Sequence, residues 1–203
     1  MNENAKGLKI ERIREILDRE RAKSISYEQD FSRKNLKKAA VLVPFVCDNN
    51  QWSLLFTRRS DNLKNHQGQV SFPGGGMEQV DETIVDTAYR EAFEEIGLSK
   101  SEIQYVGLMP DFVTISDYLV TPVVSWVNWP VKLQISNHEV SKVFTIPINF
   151  LNNKKNWEER IYTHPSGIHG SVIFYNLFDG ELLWGISAKI TIDLLRMVDG
   201  IVK

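Results

Sequence analysis

Residues 74–98 read GGGMEQVDETIVDTAYREAFEEIGL, with seven carboxylates in twenty-five residues. Like charges one helical turn apart repel, so a helix built here needs compensation from outside itself. The apolar spacing nevertheless predicts a helix over 83–96. Val85, Ala88, Ala92 and Ile96 share one face, and Gly97 follows as a C-terminal stop. At about 100° per residue, Glu91, Glu94 and Glu95 fall within an arc of about 100° beside the apolar stripe. The chain must therefore bury one face of this helix while keeping three carboxylates together at the margin of the buried surface.

The flanking segments supply what that face packs on. Residues 39–46, AAVLVPFV, form a continuous apolar run that predicts a buried strand, and 52–58 predict the returning strand after a turn at 48–51. A polar stretch, 59–69, fits neither period. A short strand, VSF, ends at Pro73 and a glycine turn. Later strands are predicted at 103–109, 119–127, 140–146 and 170–177, with a short helix beginning at INFL and a final helix over 185–198 striped by Ile186, Ile190, Leu194 and Met197. Leu8, Ile10, Ile13, Ile16 and Leu17 predict an amphipathic helix over 8–20, followed by a polar connector, 21–36. The expected organisation is an N-terminal helical extension, 1–35, and one α/β domain, 36–203, with helices packed on the faces of a mixed sheet.

Composition narrows the function. A net charge of −2 gives no pull toward nucleic acid or an anionic membrane. No apolar run approaches the roughly 20 residues that span a bilayer. With Cys47 the single cysteine, an intrachain disulfide and a thiolate zinc cluster are both excluded. These features, and an N-terminus without a signal-peptide core, lead to the expectation of a cytoplasmic protein.

A hard divalent cation would turn the repulsion among Glu91, Glu94 and Glu95 into coordination, because Mg²⁺ and Mn²⁺ prefer oxygen ligands. The glycines at 74–76 would bring backbone carbonyls near it. Arg90 sits among the acids and is expected to brace the helix, with Glu82 as its partner. The remaining acids, Glu78, Asp81 and Asp86, are expected to be solvated or capping.

From Gly76 the spacing runs Gly, five residues, Glu82, seven residues, Arg90-Glu91-Ala92-x-Glu94-Glu95-x-Gly97-Leu98. At about 6% per fixed position, a chance match is on the order of 10⁻⁷. This resembles the Nudix box, the signature of the Nudix hydrolases. The resemblance implies the Nudix fold, an α/β/α sandwich around a mixed β-sheet. It also implies hydrolysis of a nucleoside diphosphate linked to another group, with Mg²⁺ or Mn²⁺ as cofactor. By the same resemblance Glu91 and Glu95 are metal ligands and Glu94 is a further ligand or the catalytic base. Gly76 adds a metal-facing carbonyl, Arg90 supports catalysis, and Glu139 is the alternative base from a late loop.

Upstream, LFTRRSDNLKNHQGQVSFPGGG (55–76) is similar to the motif of the coenzyme A pyrophosphatase branch of that family. Leu55, Thr57, Arg59, Ser60, Gly68, Phe72, Pro73, Gly74 and Gly75 match it, while Phe56 replaces a leucine and Lys64 an arginine. The resemblance covers roughly 36–197. It implies cleavage of CoA or a derivative to 4′-phosphopantetheine and 3′,5′-ADP, with Arg59, Lys64, His66 and Gly75 at the substrate. On a strand, Arg58 and Arg59 point to opposite faces, and the motif selects Arg59. Other substrates of the class, such as ADP-ribose, NADH or a dinucleoside polyphosphate, stay open, as does a non-catalytic binding module. So does the choice between monomer and homodimer.

Overall fold

The computed structural model describes residues 3–28, 35–48, 51–63, 66–163, 167 and 169–202. Strands run β1 (Lys37–Asp48), β2 (Gln51–Arg59), β3 (Val70–Ser71), β4 (Gly74–Gly76), β5 (Ile103–Leu108), β6 (Phe112–Val113), β7 (Tyr118–Val127), β8 (Val140–Pro147), β9 (Trp157–Thr163) and β10 (His169–Tyr175). Helices are α1 (Glu3–Glu28), α2 (Ile84–Ile96), α3 (Ile148–Leu151) and α4 (Gly185–Met197). The first eight strands form one sheet with the path β3-β2-β1-β7-β5, to which β4, β6 and β8 add on β1, β7 and β2; β9 and β10 pair separately. β1 and β7 run parallel while the other pairs are antiparallel, so the sheet is mixed as expected.

Alternation along β1 divides the interior in two. Ala40, Leu42 and Val46 face α2, meeting Ala88, Ala92 and Ile96. Val43 and Phe45 face the other way, into a core completed by α1 and α4. The result is the α/β/α sandwich. Trp52 and Trp126 pack edge to face at 4.7 Å in the second core, the ordinary place for tryptophan.

Several boundaries differ from the sequence reading, each for a local reason. α1 continues through Glu28, so the expected connector is half helix. Nothing in 21–28 breaks it, and Arg21 pins it by donating to Met109 O and Asp111. Gly74–Gly76 form a strand instead of a turn, because their bare backbone pairs with Ala39, Ala40 and Val41. β9 was not anticipated: WEERIYT carries its charges and aromatics on a half-exposed hairpin, without a clean two-residue alternation. Ile186 stays exposed at the first turn of α4, whose buried side is Ile190, Thr191, Leu194 and Leu195. The turns expected at 48–51 and 163–170 lie in part outside the described residues.

α1 belongs to the same core as the sheet. Ile10, Ile13 and Leu17 are buried, and Leu17 seats on Gly107, at the register shift of β5 against β7. A Cβ on Gly107 would stand 2.9 Å from Leu17 Cδ1, so the two positions are fitted to each other. Leu17→Ala is expected to destabilise the protein by about 2–5 kcal/mol through lost burial and a cavity, measured as a lower urea midpoint.

Candidate active site

α2 is defined at both ends. Thr83 Oγ1 accepts from Asp86 N at 3.2 Å, and Asp86 Oδ2 accepts in return from Thr83 N at 3.1 Å. At the other end Gly97 adopts φ 68°, the left-handed cap that glycine tolerates best. The loop before β8 caps two more carbonyls there, Gln134 N donating to Ile96 O and Ser136 N to Glu95 O, both at 2.9 Å. That loop thus carries Glu139 to the C-terminal half of α2.

Arg90 organises the acids. Its Nε and Nη2 donate to Asp81 Oδ1 and Oδ2 at 3.0 Å, and Nη2 also reaches Gly76 O at 2.9 Å. Nη1 donates to Glu91 Oε1 at 2.9 Å and Glu94 Oε2 at 3.1 Å. The expected brace, Glu82, is exposed and makes none of these bonds. Asp81 holds Arg90 instead, because its carboxylate turns inward and also accepts from Glu78 N and Thr87 Oγ1. The Arg90 hydrogen bonds hold the Asp81 carboxyl at about 2, and raise Arg90 in turn. Asp81 is therefore structural, not solvated. Its signal was hard to read, since one acid among three at 78–82 looks like any other until the turn that buries it is known.

Glu95 is the buried member of the cluster, 3% exposed. Burial pushes its carboxyl up to about 8, against the opposing pull of Arg59; the charges of Glu91 and Glu139 add to the rise. Burial also raises Glu91, with Arg90 opposing. Glu139 is exposed, yet its charge reaches both acids, so the late loop lies beside the helix. Arg59 and Arg58 do point to opposite faces. Arg59 Nη1 comes to 4.0 Å from Glu95 Oε1, whereas Arg58 bonds Asp61 and Ser141 and pairs with Glu181. Gly75 lies under Glu91, and any side chain there would occupy the space of the carboxylate. His66 sits on an exposed turn with Nδ1 2.9 Å from Gln69 Oε1, and among the described residues it makes no hydrogen bond with the acids. Lys64 lies outside the described residues.

Among the described residues no three acidic, histidine or cysteine side chains are arranged as a cation cage. Arg90 holds Glu91 and Glu94 through its Nη1. The donors nevertheless fit a hard cation. Glu95 Oε2 is buried without a hydrogen-bond partner, Gly75 lets the Glu91 carboxylate settle over the backbone, and the donor set is entirely oxygen.

The molecule is thus an α/β/α sandwich that carries its acids on one helix over a glycine strand. The NUDIX domain model matches residues 36–165, and the chain belongs to that family. It is 32% identical over 174 residues to proteins of Yersinia pestis and Yersinia pseudotuberculosis, each named uncharacterized Nudix hydrolase NudL, covering 86% of this chain and 85% of theirs. A MutT/nudix family protein from Enterococcus faecalis superposes with a TM-score of 0.53 at 16% identity, over 86% of this chain and 67% of that one, and supports the fold. The protein is thus a Nudix pyrophosphohydrolase, acting on nucleoside diphosphate-linked substrates. Members of this family generally use divalent ions such as Mg²⁺ or Mn²⁺. No helix among the described residues is long and apolar enough to cross a membrane.

Asp81→Asn leaves Arg90 without its buried counter-charge and is expected to cost about 3 kcal/mol, whereas Glu82→Gln shifts stability by less than about 0.5 kcal/mol; urea unfolding separates them. For Glu95, a folded value of about 8 exceeds the unfolded one, so the folded metal-free state binds the extra proton. Its contribution is present at low pH and lost as pH rises toward 8. Glu95→Gln should therefore gain stability over the metal-free parent as pH goes from about 5 to about 8, read as diverging urea midpoints.

Proposed function

We propose that this enzyme hydrolyses the pyrophosphate of coenzyme A or a CoA derivative, releasing 4′-phosphopantetheine and 3′,5′-ADP. One observation carries the reading: the segment that resembles the CoA branch, 55–76, is the segment that delivers Arg59 and Gly75 to Glu95 and Glu91. Substrate selection and bond cleavage then share one surface.

In this reading Glu91, Glu95, Glu94 and Gly76 O would hold Mg²⁺ or Mn²⁺, which would supply positive charge to the pyrophosphate oxygens. Glu94 or Glu139 takes the proton from the attacking water. Both are exposed, Glu94 at the end of the Arg90 network and Glu139 on the facing loop. Water adds to one phosphorus, the bridging P–O bond breaks, and the other phosphate leaves with that oxygen. Arg90 keeps Glu91 and Gly76 in register throughout. Arg59 meets a phosphate through its planar fork, and Lys64 and His66, from the same sequence segment, are the candidates for the 3′-phosphate. The intact carboxylates argue for turnover over a purely binding role.

A panel of CoA, acetyl-CoA, oxidised CoA, ADP-ribose and NADH with Mg²⁺ or Mn²⁺ tests this, with phosphate measured after added phosphatase. CoA or one of its derivatives is expected to show the highest kcat/KM; ADP-ribose or NADH clearly ahead would sink the CoA assignment. Glu94→Gln and Glu95→Gln are each expected to lower kcat by about 10² or more, with the folded state retained by circular dichroism.

A further inference from the structure

The two arginines of the site are held very differently. Arg90 is anchored by Asp81 and Gly76 O whatever happens to Glu91 and Glu94. Among the described residues the Arg59 side chain pairs with Glu95 alone, and that pair is loose at 4.0 Å. Arg59 Nε is buried without a hydrogen-bond partner, and so is Glu95 Oε2. A guanidinium and a carboxyl thus face each other, each with one buried polar atom left without a partner. Meanwhile the backbone around Arg59 is fixed. Its N–H donates to Gln69 O at 2.9 Å, the next amide, Ser60 N, donates to Glu139 O at 2.8 Å, and Ser141 Oγ donates to Arg59 O at 3.3 Å. Only the side chain has freedom to exchange partners.

We propose that Arg59 is the internal counter-ion of the metal-free site, and that a divalent cation displaces it from Glu95. While the site holds no metal, the guanidinium draws Glu95 toward its ionised form. A cation on Glu95 takes over that task and repels the guanidinium. The released Arg59 then has its unpaired Nε and its planar edge available for a phosphate oxygen of the substrate. Metal and substrate are coupled through one side chain: the metal loads at the expense of the ion pair, and the anionic substrate restores a partner to Arg59. This rests on the reading of Glu95 as a metal ligand.

The test is Mn²⁺ binding to the full chain without nucleotide, followed by the EPR signal of free Mn²⁺. Removing the competing charge in Arg59→Gln is expected to tighten Mn²⁺ binding about tenfold, while Arg59→Lys stays within about threefold of the parent. Glu95→Gln is expected to weaken it by more than about tenfold. The CoA KM should rise in Arg59→Gln despite the tighter metal, a split that a merely structural arginine would not produce. Circular dichroism confirms that each variant is folded. Arg59→Gln binding Mn²⁺ no tighter than the parent, with Glu95→Gln impaired, would overturn the exchange and leave the metal assignment standing. Glu95→Gln binding as well as the parent would instead remove the metal assignment itself, and the exchange with it.

Discussion

The buried pair of Arg90 and Asp81 is the interaction on which the site depends. A helix bearing Glu91, Glu94 and Glu95 within two turns is electrostatically unfavourable by itself. The guanidinium relieves it with one edge while Asp81 grips the other. Because Arg90 also holds Gly76 O, the same side chain ties the helix to the glycine strand beneath it. The bidentate geometry matters as much as the charge. A lysine at this position would offer a point charge without the rigid fork that spans Asp81, Gly76, Glu91 and Glu94 together.

The sheet makes room for that arrangement by changing partners along β1. Its C-terminal third, Phe45–Asp48, pairs with β2, but residues 39–41 pair with the glycines of β4. β2 continues alongside β3 and β8 instead. The strands therefore diverge at one end, and the three glycines fill the gap without side chains. That is why Gly75 can lie under Glu91 and why Arg59, at the end of β2, reaches Glu95. Catalytic geometry here is a consequence of strand pairing, set before any cofactor is considered.

Much of this was legible because it depends on local periodicity. The stripe of Val85, Ala88, Ala92 and Ile96 predicts which face of α2 is buried, and so where the acids lie. Alternation along β2 separates Arg58 from Arg59. Two kinds of feature were not legible. Some depend on the partner: Gly74–Gly76 read as a turn because glycine promises freedom, and only β1 makes them a strand. Others depend on side-chain direction in an irregular segment. Asp81 and Glu82 are adjacent and chemically alike, yet the turn before Thr83 buries one and exposes the other. No spacing rule distinguishes them, since the helix that would supply a period has not begun.

The contrast between the two arginines bears on why the site tolerates its own charge. A hydrolase of this kind needs carboxylates close enough to share a cation, which makes the metal-free protein repulsive at its centre. Clamping every acid with a fixed arginine would remove the repulsion and also the affinity for metal. Leaving every acid free would preserve affinity at a heavy cost in stability. Here the burden is divided. Arg90, pinned by Asp81, stabilises the exposed side of the cluster permanently; Arg59, held only loosely, covers the buried Glu95. A loose ion pair is a poor stabiliser, and it is easily exchanged for the same reason. The 4.0 Å separation and the two unpartnered buried atoms are what such a compromise looks like in a folded protein.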